Sequence, residues 1–131
     1  MFKKILFPIN QSRESREAVS LVANVVKTYN SELYILSVVE TNNGNSVMSD
    51  AEAVRKLLEN ARQVFASQGI SAETIEREGL PPFVICDVAE EIEANLIIMG
   101  CRGLGLTQEG AEESVTNRVI NLSPCPVLVV P

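Results

Sequence analysis

The sequence has no histidine, which removes Ser-His-Asp and Cys-His catalysis and the commonest transition-metal ligand. That absence weighs against an enzyme. Its three cysteines, Cys86, Cys101 and Cys125, are odd in number and fall in no CxxC or Cys/His spacing. Neither a disulfide framework nor a zinc site is indicated, and the thiols read as reduced packing residues. No basic cluster offsets the net charge of −6, so the footprint that displaces counterions from a nucleic-acid backbone is missing. No apolar stretch approaches the roughly 18 residues of a membrane helix. The opening MFKKILF is cut off at Pro8 by polar residues, unlike a signal peptide. A cytoplasmic protein with neither nucleic-acid nor membrane partner is the expectation.

What is present suits one domain over residues 1–131, with 46% apolar residues to build a single core. Lys3 to Phe7 reads as a short buried strand running into Pro-Ile-Asn. Ser12 can cap a helix with apolar positions at Ala18, Leu21, Val22, Val25 and Val26. ELYILSVV, Glu32 to Val39, is too continuously apolar for a one-faced strand and fits the inside of a parallel sheet. After an Asn/Gly/Ser loop, Ser49 or Asp50 can cap a second helix to about Ser67, ended by Gly69. Ile70 to Arg77 is a weaker strand. A third helix follows over Pro82 to Ala94, with Val84, Ile85, Val88 and Ile92 facing inward. LIIM, Leu96 to Met99, is a fully apolar strand, followed by a glycine-bearing loop, a last helix from Glu112 to Leu122 and a final strand, Val127 to Val130. Strand and helix alternate, with no internal repeat. This pattern predicts a doubly wound α/β three-layer sandwich. In such sheets ligands bind beyond the carboxyl ends of the strands, here at Pro8 to Asn10 and at Gly100.

The second of these ends carries the most suggestive stretch, GCRGLGLTQEGAEESVTNRVI. Glycines after a strand allow close approach to the main chain, and a helix N-terminus offers free N–H groups to an anion. The same spacing also suits a connection in which the glycines only make turns.

Several segments together resemble the universal stress protein family: KKILFPINQSRESREAV, LYILSVVE, the Gly-Leu-Pro before the third helix, LIIMGCRG, ESVTNRVI and SPCPVLVVP. The resemblance covers nearly the whole chain. It implies a five-stranded parallel sheet in the order 3-2-1-4-5, a Rossmann-like fold of the adenine nucleotide alpha hydrolase type, and a homodimer. One branch of the family is similar to ATP-binding modules with a motif of Gly, two residues, Gly, nine residues, then Gly-Ser or Gly-Thr. Gly100 and Gly103 match, but the closing pair here is Glu113-Ser114. By the same matching, Ser114 and Val115 would present phosphate-binding groups, Val38 would contact adenine, and Pro8 and Ile9 would border the base. Asn10 stands where nucleotide-binding members carry Asp, exchanging a charge-assisted acceptor for a neutral one.

Glu113 opposes a ligand more strongly. It adds bulk where the backbone would meet phosphate, and two like charges about 5 Å apart repel by roughly 3 kcal/mol at an effective dielectric near 20. From Gly100 to Ser114 the charges are Arg102 against Glu109, Glu112 and Glu113, +1 − 3 = −2. Acidic residues in a first helical turn are favoured by the macrodipole, each by about 0.3–1 kcal/mol, so they can occupy the place of phosphate. Magnesium bridging the glutamates to phosphate would offset this.

Other candidates have structural explanations. Arg102 could reach a phosphate or be an ordinary surface charge, and Ser12 could touch a ligand or cap its helix. Thr116 resembles a phosphate contact but also suits a solvated position. Cys101 borders the crevice, though nearby glutamates disfavour a thiolate. Mixed charge over Glu52 to Arg62 reads as a solvated helix face. The terminal strand would lie at a sheet edge, and the resemblance implies that Val127 to Val130 pairs antiparallel across a two-fold axis. The reading is therefore a dimeric regulatory or protective module that requires no cofactor, with nucleotide binding weakened or absent. The alternatives are a sensor holding ATP or AMP with magnesium, and a slow ATP hydrolase with Glu109 or Glu112 acting on water.

Overall fold

The computed structural model describes residues 1–10, 18–40, 50–100 and 111–131, with the backbone alone at 111–114. Ser12, Cys101, Arg102, Gly103 and Glu109 lie outside the described residues. These residues form five strands and four helices in alternation: β1 (Lys4–Pro8), α1 (Val19–Tyr29), β2 (Glu32–Glu40), α2 (Ala51–Ala66), β3 (Ala72–Gly79), α3 (Pro81–Glu91), β4 (Leu96–Gly100), α4 (Ala111–Leu122) and β5 (Val127–Val130). One parallel sheet runs in the order β3-β2-β1-β4-β5, as expected. Among the described residues no helix is long and apolar enough to cross a membrane.

The central strands β1, β2 and β4 are apolar on both faces because helices cover both. Pleating divides the core in two. Ile5, Phe7, Leu33, Ile35 and Ile98 pack with Val22 and Val26 of α1 and with Val54, Leu58 and Phe65 of α2. Leu6, Leu36, Val38, Ile97 and Met99 pack on the other face with Ile85, Val88 and Ala89 of α3 and Val119 of α4. Registers such as Ile5↔Leu33 and Leu6↔Ile97 keep each row on one face.

Local chemistry sets the element ends. Asp50 accepts a hydrogen bond from the Glu52 N–H at 2.9 Å and caps α2. Asn30 closes α1 at φ 53°, in the left-handed region that short polar side chains tolerate. Pro81 and Pro82 occupy the first helical positions of α3, where a missing N–H costs no hydrogen bond.

Three expectations need correction. Leu21 does not face the core but is 37% exposed, and Ala23 is buried in its stead. The third strand starts and ends two residues later than its apolar residues suggest, because pairing with β2 extends to Gly79 opposite Glu40. The third helix runs Pro81–Glu91, and Glu93 turns the chain at φ 58° before Ala94.

Candidate functional site

The chain leaves β1 toward β2 on one side and leaves β4 toward β5 on the other, so strand order reverses between these two central strands. A crevice opens beyond their carboxyl ends at such a point. Pro8 ends β1, buried beside Leu36 in the register, and Gly100 ends β4 opposite Val130. Val38, 6% exposed, belongs to the core layer under α3 and α4, and Val115 of α4 packs against that layer. Pro8, Val38, Gly100 and Val115 thus gather around one end of the sheet.

Ile9 departs from this group. Its side chain belongs to the opposite layer, under α1 and α2, so only its backbone remains toward the crevice. That backbone is tightly held: the Ile9 N–H donates to the Leu36 carbonyl at 2.8 Å, and the Ser37 hydroxyl donates to the Ile9 carbonyl at 3.0 Å. Ser37 is 1% exposed, and its hydroxyl fixes the exit from β1 onto β2. Asn10 follows at once, half-buried. Sequence reasoning passed over Ser37, although a serine inside the apolar run ILSVV was its signal.

Glu40 was passed over as well. It ends β2, and strand alternation places it on the same face as Val38. Burial pushes its carboxyl above the usual carboxylate range. The described part of the crevice therefore presents an apolar wall with an acid at its margin that gives up its proton reluctantly.

The α4 backbone begins at Ala111, so residues 112, 113 and 114 fall in its first turn. Two glutamates therefore stand in sequence where the helix has unpaired N–H groups. Thr116 is not a solvated residue: it is 5% exposed, in the second turn. Cys86 and Cys125 are free thiols, Cys86 buried and Cys125 packed against the same layer, and burial raises both above the ordinary thiol value. Raised values keep thiols protonated and unreactive.

The family model described as "Universal stress protein family" matches residues 1–131. The chain is 61% identical over 136 aligned positions to universal stress protein Sll1654 of Synechocystis, covering 100% of this chain and 87% of that protein. Among solved structures, the universal stress protein UspA from Lactobacillus plantarum superposes with a TM-score of 0.85 at 24% identity, over 99% of this chain and 98% of its own. A universal stress protein from Archaeoglobus fulgidus in complex with dAMP superposes with a TM-score of 0.78 at 20% identity, over 100% of both chains.

Proposed function

This chain belongs to the universal stress protein family, and from that premise we propose that it acts as a homodimeric regulatory module whose crevice holds adenine nucleotide weakly or not at all. The observation that carries the reading is the start of α4 at Ala111, which puts Glu112 and Glu113 in the turn whose free N–H groups would otherwise meet a phosphate. Asn10 in place of an acid weakens the sugar contact further. The module would work through contact with another protein, and β5 supplies the dimer contact as a short apolar edge strand.

The expected outcome is that calorimetry with ATP and magnesium shows little or no heat of binding for the parent. Glu113→Gly should bind at least about tenfold more tightly, since removing roughly 3 kcal/mol of repulsion, even when reduced by solvent, leaves a gain of that order. A variant that binds no better than the parent would remove Glu113 as the cause.

A second reading rests on the apolar wall of Pro8, Val38 and Val115 and on the dAMP held by the Archaeoglobus fulgidus fold neighbour. A monophosphate places less charge near the glutamates than ATP does. AMP without magnesium would then bind where ATP fails. Chromatography of small molecules released from heat-denatured protein separates the two: stoichiometric adenylate supports a sensor, and its absence after incubation with AMP supports the module that binds none.

A further inference from the structure

Phe7 and Ile9 project from β1 toward the face away from Val38 and Val115, and there the molecule has a second opening. A cleft of about 550 Å³ lies between α1 and α2, within the roughly 300–1,000 Å³ of small-molecule sites. Its floor is apolar: Ile9 shows a little surface there above the fully buried Phe7, and Leu57 and Val64 continue it along α2. Val64 is 45% exposed, so the apolar lining reaches the surface unsealed. Lys56 and Asn60 stand four residues apart at the margin, on one row of the same helix.

Lys56 is the cation in the cleft's described lining. Arg55 is paired with Glu76 at 3.1 Å, and Arg62 with Glu59 at 2.5 Å. Lys56, between them, makes no ion pair among the described residues. An uncommitted cation beside an apolar cleft complements a molecule with one anionic end and one apolar end. A purely apolar ligand would use only the floor, and a small inorganic anion only the rim.

We propose that this cleft binds an amphipathic carboxylic acid, with its hydrocarbon tail over Ile9, Leu57 and Val64 and its carboxylate accepting hydrogen bonds from Lys56 Nζ and the Asn60 side-chain amide. The cleft opens on the face of the sheet under α1 and α2, opposite the layer of Val38 and Val115, and touches the nucleotide crevice at Asn10, which lines its margin.

Decanoate, kept below its micelle-forming concentration, is the probe, with decanol as the uncharged counterpart, titrated by calorimetry into the whole chain. Saturable one-to-one binding of decanoate is expected. Lys56→Gln, at an exposed position, should weaken decanoate by about fivefold and leave decanol unchanged. Ala61→Leu, which narrows the cleft, should weaken both; if that variant unfolds by circular dichroism, Lys56→Gln alone decides. Absence of saturable binding to the parent, or decanoate affinity unchanged in Lys56→Gln, would overturn the proposal.

Discussion

Gly79 sits at φ +147°, and an added Cβ there would stand 2.8 Å from Val84 Cγ2. The backbone region and the short, stiff neighbour both exclude a side chain. Gly79→Ala should therefore lose about 1–3 kcal/mol in urea unfolding. Gly69 has positive φ too but open space around it, so the same change there should cost less. Glu40 gives a pH-dependent counterpart. Its folded-state carboxyl binds a proton more tightly than an unfolded one, so its contribution to stability is greatest below the usual carboxylate pKa and declines as pH rises through the raised value. Glu40→Gln removes that decline. Thermal melts should show the variant gaining on the parent between pH 4 and pH 7, and a gain that is equal at both would place the effect elsewhere.

At the level of strands and helices, β5 is an apolar edge strand open to a partner. Among the described residues it pairs only with β4, and Leu128 at its centre is 38% exposed. If β5 forms the dimer contact, Leu128→Lys should weaken association about 100-fold, the loss of roughly 3 kcal/mol of apolar burial summed over two copies. Sedimentation across micromolar concentrations measures this. The opposite edge, β3, is guarded differently: Glu73, Glu76, Arg77 and Glu78 charge it, and Arg77 pairs with Glu91 of α3 at 2.8 Å. That contrast also explains what could be read in the sequence. The central strands were legible because burial on both faces leaves continuous apolar runs such as LYILSVV and LIIM. The third strand was blurred because a half-exposed edge carries charges at irregular positions. Among the candidate residues, Pro8, Val38 and Val115 were proposed through motif resemblance, but the direction of Ile9 depends on the pleat, which shows only when strands are placed in register. Ser37 and Glu40 act through burial, a property that a residue type alone does not disclose.

For the whole molecule, two core layers share one sheet, so heat should unfold them together. Calorimetry should give one transition of roughly 90 kcal/mol per chain, from about 0.7 kcal/mol per residue. For a dimer its midpoint should rise with protein concentration. Two resolved transitions would contradict a single domain over residues 1–131. The pairing of β1 with β4 has a further consequence, for synthesis. The Lys4 N–H bonds the Asn95 side chain across 91 positions of sequence, and Ile5 lies in register with Leu96. A ribosome therefore releases nearly three quarters of the polypeptide before the first strand meets its second neighbour. Until then the two rims of the crevice are not joined, so the crevice exists as a shape in finished molecules and is missing from nascent ones.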